Sequence, residues 1–231
     1  MRATSVQRVL LATRGRGREA AVVLLSALAM GLWVLRRRWL PGGFPYLPYN
    51  LVLAWIPWLL GLAAVRARTT FACLAVLPAW LLFLPNAPYL VTDLLHLRPR
   101  APVPVWYDAL LYGAFAIAGS ALGWTSLSMV RERAAALVGE AQAELGAVAV
   151  SLLAGFGIYL GRFGRWNSWD LWQRPRALLA GAAASVSVRA AVFSLLFGLF
   201  VWAGYLMVAR GGASPEGGEP PSPPGARTVP R

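Results

Sequence analysis

The chain has 231 residues, 58% of them hydrophobic and only 13% charged, about half the charged share of an ordinary soluble domain. The mean hydropathy is +0.57, and the formal net charge of +13 comes from 22 basic residues, all arginine. A soluble globular domain is excluded, and the continuous apolar runs lack the period-two alternation that a membrane β-barrel needs. The arginines cluster at the ends of apolar runs instead of forming a soluble basic face. That placement reads as topology signals and contacts to membrane lipid head groups, and it argues against nucleic acid.

In chain order, residues 1–19 read as a basic, glycine-interrupted arm. The apolar run that follows has the charge pattern of a secretion signal, but it ends in Arg36-Arg37-Arg38-Trp39. No small-residue cleavage site is present there, so the run is expected to be an uncleaved first span. Apolar stretches predict spans over 20–35, 47–65, 69–84, 105–130, 146–161 and 190–209. The expected class is therefore all-α, an integral membrane helical bundle of about six spans over 20–209. A proline- and glycine-rich tail over 210–231 reads as disordered. Pro57 is expected to kink the second span. Gly113, Gly119 and Gly123 give the fourth span a small-residue face for close packing, either within the chain or against a membrane partner or second copy. Residues 131–145 read as a charged, helix-favouring connection, and 176–188 as an amphipathic segment along the interface. Cys73 is the single cysteine, so no intrachain disulfide forms. The arginine-only, alanine-rich composition fits a GC-rich bacterial genome and hence the bacterial inner membrane.

Six spans put the connections 1–2, 3–4 and 5–6 at one membrane face. Asn50, Asn86, Asp93, His96, Asp108, Arg162, Arg165, Asn167 and Asp170 all fall on or near that face. The opposite connections carry little beyond charge. Arginine counts on the two faces are nearly tied, but five precede the first span and three follow it. This favours a cytoplasmic N-terminus and an extracytoplasmic polar face.

Phe83-Leu84-Pro85-Asn86-Ala87-Pro88-Tyr89 is the most unusual stretch. Two prolines cannot donate backbone bonds, and carbonyls one turn earlier lose their partners. Asn86 either re-satisfies such a carbonyl or, with Tyr89, lines a cavity at a broken helix. Three residues apart, Asp93 and His96 share one helix face, and a carboxylate orienting an imidazole suits a general base. The pair also offers two ligands to a divalent metal if Asp108 or Asp170 joins it. A lone histidine is a poor metal signal, and no metal is assigned. Thr92-Asp93 and Asp108 have plainer readings as a cap and a first-turn acid. Arg162, Arg165, Asn167 and Asp170 suit a bound phosphate or carboxylate, or a loop fixed by pairing Asp170 with Arg162 or Arg165.

The segments Asn50 to Pro57, Phe83 to Leu97, Trp106-Tyr107-Asp108 and Gly157 through Asp170 resemble those of an uncharacterised family of bacterial multi-pass membrane proteins. That family is domain of unknown function 1361, and the resemblance covers residues 20–207. It implies a membrane bundle and supplies no activity, cofactor or catalytic residue. The functional expectation is a site for a small polar or lipid-head-group ligand, in a transport or transport-accessory role. A membrane enzyme acting on a lipid-linked substrate, with His96 as base and Asp93 orienting it, is the alternative. A structural subunit of a membrane complex is the third.

Overall fold

A computed structural model of the chain describes residues 5–38 and 43–211, with side chains from Gly17 onward. The described residues form α1 (Ser5–Arg37), α2 (Tyr46–Arg66), α3 (Thr70–Phe83), α4 (Asn86–Tyr89), a 3₁₀ segment (Leu90–His96), α5 (Val105–Val138), α6 (Glu140–Gly164), α7 (Asp170–Gln173), α8 (Pro175–Ala184) and α9 (Val188–Arg210). Among the described residues, six segments are long and apolar enough to cross a membrane: Gly17–Arg37, Tyr46–Arg66, Thr70–His96, Val105–Val138, Glu140–Gly164 and Val188–Arg210. Large apolar side chains point outward from most of them, with Leu24 68% and Phe71 82% exposed. Such a surface is compatible with hydrocarbon, and the chain is a multi-pass membrane protein.

Several boundaries differ from those the sequence predicts. From Ser5 onward, the arm expected over 1–19 is the beginning of α1; its two glycines, Gly15 and Gly17, cost a helix only about 1 kcal/mol each. The charged connection over 131–145, expected to favour helix, is helical on both sides of Gly139, as continuations of α5 and α6. That residue has φ +95°, a region open to glycine at little cost. The expected interfacial segment is a separate helix, α8, divided from α9 by a break at which Ser187 caps α9 through Ala190 N–H. Beyond Gly211, the expected tail lies outside the described residues.

Helix α5 is the central element. Of its most apolar stretch 72% is buried, against 17–39% for the other spans, and it touches α1, α2, α4, the 3₁₀ segment, α6 and α9. Leu111, Tyr112, Phe115 and Leu122 pack with Val22, Leu47 and Leu51 in one core cluster. Trp80, Leu84, Leu127, Ala154, Val201 and Tyr205 form a second. The small-residue face of α5 is used inside the chain. A Cβ at Gly119 would overlap the Ala87 carbonyl, and one at Gly123 would lie 3.2 Å from Ala87 Cβ. These residues let the broken third span lie directly on α5.

The end of the bundle opposite the polar connections holds more than isolated charges. Arg18 bonds Glu132 and Ser128 at 3.2 and 3.4 Å and the Val208 carbonyl at 3.0 Å. Arg131 pairs with Glu140 at 2.7 Å and Glu144 at 3.2 Å, and Glu144 accepts from Tyr205 at 2.8 Å. These contacts join α1, α5, α6 and α9 at that end.

Helices α6 and α9 meet through Ser151 and Gly155 against Ser194 and Gly198. A Cβ on Gly155 would collide with the Ser194 carbonyl, and one on Gly198 would sit 3.1 Å from the Ser151 carbonyl. Lipid tails are as apolar as leucine, so this close backbone approach, and not hydrophobic transfer, holds the pair together. Gly155→Leu is expected to destabilise the bundle by about 1–3 kcal/mol, read as a lower midpoint for thermal unfolding in detergent. An unchanged midpoint would contradict the contact.

Candidate functional site

The third span breaks where the prolines are. α3 ends at Phe83, and the chain continues as α4 and the 3₁₀ segment. At the break the carbonyls of Leu82 and Phe83 take side-chain partners. Ser168 Oγ donates to the Leu82 carbonyl at 3.0 Å, and Asn86 Nδ2 donates to the Phe83 carbonyl at 3.0 Å and to Ser168 Oγ at 2.9 Å. Backbone groups at membrane depth must find partners inside the protein. The partner of one carbonyl comes from 86 residues away, so the break and the connection between α6 and α9 form one unit. Helix α6 makes room for it with glycine. A Cβ at Gly157 would lie 2.5 Å from Pro85 Cγ, and one at Gly161 would lie 3.3 Å from the Tyr89 ring.

Beside the break is a cavity of about 260 Å³ between α2, the break, α6 and α8. Asn50, Asn86, Tyr89, Asn167 and Ser168 form its polar lining, and Leu53, Leu82, Leu160, Leu178 and Leu179 its apolar lining. Trp166 builds part of the wall. Arg165 takes a left-handed conformation, φ 55°, at the end of α6, and this turns the chain so that the indole wedges between α6 and α8. Cβ atoms at Gly164 and Gly181 would both lie 2.6 Å from that ring.

Behind Asn50 lies a charged cluster. Asp93, 2% exposed, accepts from Asn50 Nδ2 at 2.9 Å. The Arg162 guanidinium is 4.0 Å from its other oxygen, the outer limit of an ion pair. His96 does not meet the Asp93 carboxylate. Its Nδ1 is 3.3 Å from the Asp93 main-chain carbonyl and 3.5 Å from Arg162 Nη2. The first contact needs a proton on Nδ1 and the second needs a lone pair there, so one tautomer serves one partner. The Tyr46 ring lies 5.4 Å from the imidazole, and its hydroxyl bonds that of Tyr112.

The family model described as Protein of unknown function (DUF1361) matches residues 49–203. The chain belongs to the DUF1361 family. No curated protein and no solved structure matches it. The matched region of this DUF1361 protein begins at Tyr49 and contains every residue that lines the cavity.

Of the residues singled out from sequence, the structure brings Asn86, Tyr89 and Asn167 to the cavity, and Asp93, His96 and Arg162 to the cluster behind it. Arg165 is exposed and has no polar partner among the described residues. Asp108 is elsewhere. It is 1% exposed and held at both oxygens by Arg36, with Nε at 2.6 Å and Nη2 at 3.1 Å. Arg36 also stacks 4.0 Å from the Phe44 centroid. An arginine expected to mark topology at the interface is therefore a buried partner instead. Asp170 pairs with Arg174 at 2.7 Å, not with Arg162 or Arg165, because Arg174 follows it by one helical turn. Thr92 donates to the Tyr89 carbonyl at 2.7 Å and caps no helix. With Asp108 and Asp170 each facing its own arginine, neither joins Asp93 and His96 as a metal ligand. Sequence reasoning places Asn50 on the polar face without a site role, and it assigns no role to Tyr49 or to α8 in the site. The signal for Asn50 was its place near the start of the second span, on the same face as Asp93.

Two measurements follow from this geometry. Asp108→Ala leaves the Arg36 charge buried without its counter-charge and is expected to cost about 3–5 kcal/mol, whereas the combined Arg36→Met, Asp108→Leu variant costs less. Thermal unfolding of the three proteins checks this, and equal losses in the single and the combined variant would contradict it. The second concerns Asp170, whose carboxyl is held below the usual carboxylate range by Arg174 first and then by the Asn167 N–H. With a lowered folded value, the stabilisation is complete above the ordinary aspartate value of about 3.9 and is lost as pH falls through the folded value. Protection of the Asn167 amide in hydrogen exchange, corrected for intrinsic rate, should persist through the ordinary aspartate value of about 3.9 and be lost only as pH falls further, through the lowered folded value. In Arg174→Ala the loss should begin at higher pH, and an unmoved onset would refute the assignment.

Proposed function

We propose that this DUF1361 protein binds a small polar or lipid-head-group ligand in the cavity at the break of the third span, and serves transport or a transport-accessory role. The observation that carries the reading is the cavity's two-sided lining. Carboxamides and hydroxyls from α2, the break and the α6–α9 connection face leucines from α2, α3, α6 and α8. Small-ligand sites combine a mostly apolar wall with a few converging polar groups. Discontinuous membrane helices put such groups at the depth where a cargo is held. The composition favours residence in a bacterial inner membrane, and recovery in the outer-membrane fraction of the source cells would overturn that location.

The enzymatic alternative has less support. It requires His96 as base and Arg162 or Arg165 on phosphate, and none of the three lines the cavity. A role as a structural subunit rested on the small-residue face of α5, which the chain covers with its own third span at Gly119 and Gly123 and leaves open at Gly113.

Native mass spectrometry of the full chain, extracted with its endogenous lipids, tests the proposal. The wild type is expected to retain a bound small molecule or lipid. Ala182→Trp, which fills the cavity from α8, should lose it while still unfolding cooperatively, with a midpoint lowered by no more than removal of the ligand lowers that of the wild type. A wild type that retains nothing, or equal retention by the variant, would sink the reading.

A further inference from the structure

We infer that the head group this cavity takes is uncharged and hydroxyl-bearing, of the sugar or glycerol class, an inference that rests on the binding role proposed above. The first argument is the polarity of the two carboxamides. Asn50 Nδ2 is committed to the Asp93 carboxylate at 2.9 Å, and Asn86 Nδ2 to the Phe83 carbonyl at 3.0 Å. A carboxylate and a backbone carbonyl only accept, so both amide groups have a fixed sense. Their Oδ1 atoms accept from no described residue and are not among the buried polar atoms left without a partner. Both therefore face open space, in residues that line the cavity. Two fixed acceptors call for a ligand that brings O–H or N–H donors.

The second argument is charge. No Asp, Glu, Arg or His lines the cavity. Two carboxylates bond lining residues from outside: Asp93 accepts from Asn50, with Arg162 4.0 Å away, and Asp170 accepts from the Asn167 N–H at 2.8 Å and pairs with Arg174 at 2.7 Å. Each carboxylate is engaged by its own arginine. A phosphate would bring only acceptor oxygens to two fixed acceptors and would find no guanidinium fork to receive them. An ammonium would find acceptors but no unpaired carboxylate. A hydroxyl fits both sides, because it donates to the Asn50 and Asn86 oxygens and accepts from the Tyr89 hydroxyl or the Trp166 indole N–H. The rings of Tyr89 and Trp166 add flat apolar faces with polar edges. At about 260 Å³ the cavity falls just under the range of about 300–1,000 Å³ for drug-sized ligands, which suits one head group or one sugar ring.

The test uses the full chain in a detergent without sugar and three probes: monoglucosyl diacylglycerol, phosphatidic acid with the same acyl chains, and methyl glucoside. Binding is read by native mass spectrometry in the wild type and in Leu178→Trp, which occupies the cavity, with Ala182→Trp as the substitute if the first does not fold. The glucosyl lipid should bind at least about tenfold more tightly than phosphatidic acid and be lost in the filled variant. Methyl glucoside binding as tightly as the lipid supports the inference with a soluble sugar as the source. Binding of the glycolipid alone supports it with a lipid head group as the source. If phosphatidic acid binds equally or better, and is lost in the filled variant, the inference is overturned while the binding site stands. If no probe binds, or the filled variant binds like the wild type, both fall together.

Discussion

The structure depends on the rule that backbone polar groups inside a membrane must find partners within the protein. Pro85 and Pro88 break that condition in the third span. The chain repairs it with Asn86 from the break itself and Ser168 from a distant connection. A repair that requires a second segment also fixes where that segment lies. The turn at Arg165, the wedge of Trp166 and the placing of α8 follow from bringing Ser168 to the Leu82 carbonyl. The cavity is the space left between a helix that cannot continue and the loop recruited to complete it.

The same rule explains why glycines surround the break. The backbone of α4 lies on α5 at Gly119, and Pro85 lies on α6 at Gly157. A side chain at either position would hold the break away from its neighbours and leave its carbonyls unpaired. Proline and glycine thus act as a matched set, one opening the helix and the other letting adjacent helices close around the opening.

The spans were legible in the sequence because lipid imposes a length of apolar chain that soluble proteins do not carry. The break was legible because proline acts locally, and Asn86 does bond a carbonyl at the break, that of Phe83 and not the Leu81 or Leu84 carbonyl that lies one turn before each proline. Pairings between distant residues were not. Asp108 after Pro104 looks like a first-turn acid at any helix start, and nothing local marks Arg36, 72 residues earlier, as its partner. Arg36 itself looked like one of a run of interfacial arginines, since three in a row give no sign of which one turns inward. Asp170 was matched with Arg162 or Arg165 inside its own polar segment, although Arg174, one helical turn later, is nearer in sequence than either. The part played by α8 was hidden because its amphipathic pattern fits a helix lying on lipid as well as one walling a cavity.

Arg18 and Arg36 clasp α1 to the rest of the bundle, one at Ser128, Glu132 and Val208 and the other at Asp108. Eighteen residues separate them, about 27 Å of helix at 1.5 Å per residue, close to the roughly 30 Å of a bilayer's hydrocarbon. The two clasps work as a gauge block. Sliding α1 by one turn would unfasten both at once, so α1 cannot adjust by itself to a thinner or thicker bilayer. Accommodation falls to tilt of the bundle as a whole or to deformation of the lipid around it.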